Sequence, residues 1–151
     1  LRDARKFDFS QRQNLSDVAL NINGKAIHVN KQYLSLCSPY FSALLNGHFA
    51  ESDKNTIELK NVSYMVCLNC DDVIFAGVHG AAVDNVEALL KLGDRYDFDF
   101  VVKAAEDFLV STEDLFSYGR LLLLSDLYRL PQLQTRCLAY YSQPRRLKDL
   151  K

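Results

Sequence analysis

The chain has 151 residues, of which 48% are hydrophobic, and a formal net charge of -1. This length fits one ordinary domain with or without a short extension, and the hydrophobic fraction is sufficient for a sizeable core. The small net charge disfavours whole-surface attraction to nucleic acid or to an anionic membrane. No apolar run approaches the roughly 20 residues that a bilayer-spanning helix needs.

A polar lead-in and a β-hairpin open the predicted fold. The lead-in carries only isolated apolar side chains, so we expect an extended or loosely ordered segment. Apolar residues then alternate with other residues over Val18–Ile22, with the period of a half-buried strand, and a second strand is predicted over Lys25–Val29. Asn23 and Gly24 both tolerate the positive φ of a type I′ turn, so the two strands are predicted to pair as a hairpin.

One helix and a third strand are predicted next. Asn30 is a favourable N-cap, apolar residues keep helical spacing beyond it, and Gly47 ends the helix. Thr56–Lys60 is predicted to form the third strand. A helix is expected from Ser63 to about Phe75, and Ala81–Val83 is a candidate for a short edge strand.

Four further helices are predicted in the second half of the chain. They cover Asn85–Tyr96, Phe100–Val110, Leu115–Arg129, and a last helix that starts at Pro131 and stops before Pro144. Asp84 and Glu87 resemble a capping box for the first of these helices, and Ser111 and Asp114 repeat that pattern for the third. The last helix carries an apolar stripe formed by Leu133, Cys137, Leu138 and Tyr141. Three strands followed by many short helices predict an α+β domain in which helices dominate.

The cysteines predict a reducing environment and no metal site. Three of the four lie at apolar positions of predicted helices, where a thiol behaves as a small hydrophobic group. A domain of this size does not need disulfides, which favours the cytosol or the nucleus. Cys67 and Cys70 form an isolated CxxC, whereas a structural zinc site takes four ligands. We therefore interpret both as core residues.

Nothing in the sequence predicts an active site or a cofactor. His28, His48 and His79 do not stand at a recognisable spacing from a nucleophilic serine or cysteine. The chain has no glycine-rich loop of the type that binds phosphate. The first residues, Leu1–Lys6, are charged and lack the apolar segment of a secretory leader. The chain starts with Leu1 rather than Met, which leaves open whether it is part of a longer protein.

Six short segments together resemble the BTB (POZ) domain family. They are Ser16-Asp17-Val18, Lys31-x-x-Leu34, Ser38-Pro39-Tyr40-Phe41, Phe49-x-Glu51, Gly93-Asp94-Arg95-Tyr96 and Ala105-Glu106-Asp107-Phe108-Leu109. The resemblance implies a BTB/POZ fold over residues 15–110, in which a small three-stranded sheet is capped by short helices. Residues 1–14 form a lead-in, and residues 111–143 resemble the helical extension of many ubiquitin-ligase adaptors. Residues 144–151 form a basic tail.

The chain departs from the family pattern in two places. Many members carry His-Arg or His-Lys where this chain has Asn30-Lys31. In the segment Met65–Asp72, Cys67 stands near a position that usually holds a large aromatic residue, which leaves volume to fill. Met65 is a candidate filler because its thioether is flexible. Either the neighbours have repacked or this member is less stable than its relatives.

The resemblance implies two sets of binding residues. In cullin-binding members, a residue matching Phe49 enters a pocket on the cullin and an acid matching Glu51 supports the local turn. The alternative is that Phe49 packs on its own core and Glu51 is solvated. Asp17 and Lys31 match a charged pair near the dimer axis, although they are also compatible with two solvated charges. The remaining candidates for the dimer interface are Phe9, Leu15, Tyr33, Leu36 and Leu34, of which Leu34 is more compatible with the core.

The resulting prediction is a homodimeric adaptor of the cytoplasm, the nucleus or both. It docks a cullin scaffold in ubiquitin ligation and takes no cofactor. Family substrates are usually held by a separate domain, such as a MATH domain, and the substrate of this chain is unknown. The alternative is a structural oligomerisation module without cullin binding. A channel-type tetramerisation domain is less favoured, because the pattern Phe49-x-Glu51 belongs with adaptors. Neither nucleic acid nor membrane is an expected partner.

Overall fold

The computed structural model describes residues 8–47, 55–65, 67, 81–112 and 115–143. These ranges hold three strands and six helices with both ends described, which confirms the predicted α+β class with its small three-stranded sheet. The strands are β1 (Val18–Ile22), β2 (Lys25–Val29) and β3 (Thr56–Glu58). The helices are α1 (Lys31–Cys37), α2 (Pro39–Asn46), α3 (Val86–Arg95), α4 (Asp99–Ser111), α5 (Tyr118–Leu127) and α6 (Pro131–Tyr141).

The hairpin forms with the predicted bounds and turn. β1 is the central strand of the order β2-β1-β3, antiparallel to β2 and parallel to β3. Asn23 and Gly24 both adopt positive φ, at 52° and 82°, as a type I′ turn requires. Val18, Leu20 and Ile22 point into the core, so the predicted alternation places one face of β1 inside.

The single helix predicted after Asn30 is wrong, because the chain breaks it at Ser38. This residue adopts extended angles, φ −143° and ψ 116°, since the following Pro39 disfavours the helical conformation at the preceding residue. The Ser38 hydroxyl accepts a hydrogen bond from the Phe41 N–H at 3.1 Å and donates one to the Tyr96 carbonyl at 2.6 Å. Ser38 is fully buried, so α1 and α2 meet at a polar joint inside the protein.

The predicted edge strand at Ala81–Val83 is also wrong. The Ala82 N–H donates to the Asn85 side-chain oxygen at 2.7 Å, and the Ala82 carbonyl accepts from the Val86 N–H at 2.9 Å. These local bonds make a turn that leads into α3. The helix predicted from Ser63 is described only at residues 64–65 and 67, which are helical, and its remainder lies outside the described residues.

Neither predicted capping box forms as expected among the described residues. The Glu87 carboxylate binds the Arg120 side chain of α5. The helix predicted from Leu115 begins at Tyr118, where the Ser117 hydroxyl accepts from the Arg120 N–H at 3.2 Å. Ser111 is instead the last residue of α4, and Asp114 lies outside the described residues.

Two buried clusters share helices α3 and α4. The first combines the sheet and α1–α2 with one face of α3 and α4, including Leu89 and Val101. The second combines their opposite faces with α5 and α6. A Cβ at Gly93 would lie 2.8 Å from a methyl carbon of Val102, so glycine lets α3 and α4 approach closely. The predicted stripe of α6 needs one correction, because Leu138 is 57% exposed.

Candidate protein-interaction surface

The most exposed large apolar side chain on α1 is Leu36. Successive helical residues are about 100° apart, so positions two residues apart lie on nearly opposite faces. Leu34 is 4% exposed and faces the core, whereas Leu36 is 83% exposed. The predicted core reading of Leu34 is therefore confirmed, and Leu36 lies on the solvent side of the helix.

Leu15 lies beside the start of the same helix and is 80% exposed. Its carbonyl accepts a hydrogen bond from the Asn30 side-chain amide at 2.9 Å. The oxygen of the same amide caps α1 by accepting from the Tyr33 N–H at 3.0 Å. The Asn30 side chain thus caps α1 and holds the lead-in against the start of this helix. Leu15 and Leu36 are both exposed near α1.

Asp17 and Lys31 are brought together, but the described contact uses the backbone of Lys31. An oxygen of the Asp17 carboxylate accepts from the Lys31 N–H at 2.7 Å. A carboxylate is favourable at this position because the first N–H groups of a helix carry partial positive charge. Asp17 is exposed in the single chain, and its predicted place in a charged pocket at a dimer axis stays a prediction.

Tyr33 and Cys37 lie half-buried on one side of α1 and form a side-chain hydrogen bond. Burial raises the pKa of both groups, and the bond from Tyr33 opposes part of this effect at Cys37. A raised pKa keeps the thiol protonated at neutral pH, which makes it a poor nucleophile. The phenol of Tyr33 therefore offers a neutral, partly apolar edge next to Leu36.

Phe9 is not part of the exposed surface. Its side chain is 8% exposed and belongs to the first core cluster, and its carbonyl accepts from the His28 N–H at 2.8 Å. This burial disfavours the predicted dimer contact at Phe9, because a ring packed inside its own chain offers little area to a second copy. The lead-in is also more ordered here than its polar composition predicts.

Several predicted residues lie outside the described ranges, including Phe49 and Glu51. Their proposed contact with a cullin remains a sequence prediction. Met65 is 62% exposed, so it does not fill the volume beside Cys67, which is itself buried. The filler hypothesis for Met65 is therefore corrected.

The described part of the chain has neither a metal-binding cluster nor a membrane-spanning helix. No three His, Cys, Asp or Glu side chains lie close enough together there to hold a metal ion. Across the same residues, every helix is too short or too polar to cross a bilayer.

A second exposed apolar surface, which sequence reasoning missed, lies on the helices after residue 111. Leu123 and Leu127 are four residues apart on α5, and they are 55% and 64% exposed. The run Leu121–Leu124 contained the signal, because four consecutive leucines cannot all face one side of a helix. Leu121 and Leu124 enter the second core cluster and leave Leu123 outside.

A family model for the BTB/POZ domain matches residues 7–113. The chain belongs to the BTB/POZ family. The fold agrees, since the BTB domain of human gigaxonin superposes with a TM-score of 0.56 and 27% identity, covering 64% of this chain and 80% of that structure. BTB/POZ domains are protein-interaction modules, and the exposed leucines around α1 fit this role.

The curated relatives are longer than this chain. The chain is 36% identical to BTB and MATH domain-containing protein 38 of Caenorhabditis elegans, over all of this chain and 39% of that protein. It is 35% identical to human Kelch-like protein 30, over 63% of this chain and 16% of that protein. The chain thus spans well under half the length of these relatives.

Proposed function

We propose that this BTB/POZ domain is the homodimeric part of a substrate adaptor that docks a cullin scaffold in ubiquitin ligation. The proposal of a dimer rests on two leucines near α1, Leu15 and Leu36, which are 80% and 83% exposed in the single chain. Burying one leucine side chain is worth about 1.5–3 kcal/mol, so a contact that covers both of these side chains would be favourable.

A second copy is the proposed partner for this surface. Two copies related by a two-fold axis use the same patch, so each leucine contributes twice to one contact. Tyr33 extends the apolar area beside Leu36. Asp17 and Lys31 meet at the helix start, where a fixed charge at the edge of the patch favours one register over others.

The cullin contact rests on the sequence pattern and on the family. α2 ends at Asn46, and Phe49 and Glu51 follow within five residues. In BTB domains that bind cullins, the apolar residue at the position of Phe49 enters a pocket on the cullin, and the acid at the position of Glu51 supports the local turn. A dimer would present two such sites, which raises avidity toward clustered partners. We place this action in the cytoplasm, the nucleus or both.

Light scattering after size exclusion tests the proposal, using the chain alone and mixed with the amino-terminal region of a cullin. We expect a dimer that forms a larger complex with the cullin fragment. Phe49→Ala should abolish the complex and leave the dimer intact. Phe100→Ala is the matched control, because Phe100 is an exposed phenylalanine on α4.

Three outcomes separate the possibilities. A dimer that binds no cullin fragment would favour the alternative, a structural oligomerisation module. Cullin binding that survives Phe49→Ala would remove the proposed role of Phe49. A chain that remains monomeric would overturn the dimer itself.

A further inference from the structure

A groove lies between α2, β3 and the end of α3, and its lining contains none of the residues of the proposed dimer surface. It has a volume of about 470 Å³ and is open on one side. One wall is β3 with the residues that follow it, and the other is formed by Tyr40 and Leu44 of α2. Arg95 and Tyr96 close the end.

The groove runs along an edge of the sheet. The Ala19 N–H donates to the Asn55 carbonyl at 2.8 Å, and the Leu59 N–H donates to the Asn21 carbonyl at 2.9 Å. In a parallel pair, alternate residues direct their backbone groups toward the partner strand. The backbone groups of Thr56 and Glu58 therefore point away from β1, and over the described ranges no strand lies beyond β3.

Two cations of this groove, Lys60 and Arg95, form no ion pair with an acidic side chain of the described residues. The ion pairs among the described residues are Lys103–Asp107 and Arg120–Glu87, and neither pair includes Lys60 or Arg95. The Arg95 guanidinium lies 5.4 Å from the centre of the Tyr96 ring and makes one long hydrogen bond, 3.4 Å, to the Asn61 carbonyl. Among the described residues that line the groove, Glu58 carries the one carboxylate, against the two cations Lys60 and Arg95.

The apolar part of the groove is packed on buried aromatic rings. Tyr40 is 40% exposed, and its ring packs edge-on against Tyr96 and Phe41 with centroid distances of 5.2 Å in both cases. Phe41 is fully buried and Tyr96 is 4% exposed, so the ring of Tyr40 rests on fixed neighbours. Such a surface accepts an apolar side chain without first becoming ordered.

We infer that the groove binds an extended acidic segment of a partner protein, which adds as a strand to the free edge of β3. Main-chain groups of the segment pair with Thr56 and Glu58, as in other cases of strand addition. A carboxylate of the segment meets Arg95 and Lys60, and an apolar side chain rests on Tyr40. This site is additional to the proposed dimer and cullin contacts and does not depend on them.

Capped hexapeptides test the inference with the whole chain. One set alternates aspartate with valine, isoleucine, leucine or phenylalanine, and a matched set carries asparagine in place of aspartate. Fluorescence polarisation should show binding of the acidic set, roughly tenfold weaker for the asparagine set and for the variant R95E. The control R12E makes the same charge change at an exposed position outside the groove and should bind normally.

Hydrogen exchange gives a second readout, because strand addition should slow exchange at the amides of Thr56 and Glu58. Circular dichroism of each variant verifies that it is folded. The inference is overturned if no acidic peptide binds, or if aspartate and asparagine peptides bind equally. It is also overturned if R95E binds like the unchanged chain, or if exchange at both amides stays the same.

Discussion

Glu106 of α4 and Arg136 of α6 cap each other's helices. One oxygen of the buried Glu106 carboxylate accepts from the N–H groups of Gln132 and Leu133, at 2.8 Å and 3.2 Å, at the start of α6. The Arg136 guanidinium donates to the carbonyls that end α4, those of Leu109, Val110 and Thr112. The helices after residue 111 are therefore joined to the preceding domain by a pair of reciprocal contacts.

Removing the Glu106 carboxylate should destabilise the chain strongly. Glu106→Ala leaves two N–H groups at the start of α6 without their acceptor, that of Leu133 buried and that of Gln132 partly buried. We expect a loss of about 2–3 kcal/mol in the free energy of unfolding. Urea denaturation followed by circular dichroism measures it. The control Gln132→Ala keeps its capped N–H and should stay within about 0.5 kcal/mol. Equal losses in the two variants would contradict the capping role.

A chain that ends at Thr112 should not fold stably. The second core cluster buries Val86, Leu90, Ala105 and Leu109 against α5 and α6, and truncation returns these four side chains to water. The family model matches only as far as residue 113. This prediction therefore tests whether the stably folded unit extends beyond the matched residues. Circular dichroism and urea denaturation should show loss of the cooperative transition seen for the full chain. A truncated chain as stable as the full one would refute it.

Ser38 should be the least replaceable serine of the α1–α2 segment. Ser38→Ala removes both the cap of α2 and the donor to the Tyr96 carbonyl, and a buried carbonyl is left unsatisfied. We expect a loss of about 1–3 kcal/mol. Ser42→Ala, four residues later on α2, is the control and should have a smaller effect. Comparable unfolding midpoints for the two variants would argue against the buried joint.

The Glu87–Arg120 ion pair should contribute stability only above acidic pH. The hydrogen bond from Arg120 lowers the pKa of Glu87 below its usual value of 4.5. A lowered folded-state pKa means that the contribution is present above the unfolded value and is lost as pH falls through the folded value. Both side chains are partly exposed, so the effect is small and weakens with salt.

Urea denaturation of Glu87→Gln and of the unchanged chain, from neutral pH down to about pH 3, checks this prediction. The unchanged chain should be slightly more stable at neutral pH, and the difference should shrink as Glu87 becomes protonated. A difference that is constant with pH would show that the ion pair is not its source.

Local patterns predicted the first part of the fold well. Alternation over β1 and the Asn23-Gly24 turn fix the hairpin, because register and turn type reinforce each other. Asn30 caps its helix as predicted, because N-capping depends on neighbouring residues only. The break at Ser38 is also a local effect, because Pro39 disfavours the helical conformation at the residue before it. The apolar residues on both sides of the break nevertheless keep helical spacing, which predicted one continuous helix.

Contacts between residues far apart in the sequence explain why the predictions for the Glu87 capping box and for the lead-in were wrong. Glu87 stands where a capping box would use it, yet Arg120, which is 33 positions later in the sequence, binds it instead. Phe9 is buried because its segment lies beside β2, which the polar lead-in does not reveal. For the interaction surface, the helical period explains why Leu36 is exposed, since it lies two residues after the buried Leu34 on α1.

Sedimentation equilibrium of the unchanged chain and of Leu36→Glu tests the central claim of a dimer through the α1 surface. The unchanged chain should give twice its chain mass of 17.2 kDa, and Leu36→Glu should give the single-chain mass, because a buried unpaired charge is very costly. Leu123→Glu, on the separate surface of α5, should leave the dimer intact. A folded unchanged chain of single mass at every concentration, or a Leu36→Glu variant that still dimerises, would contradict the account.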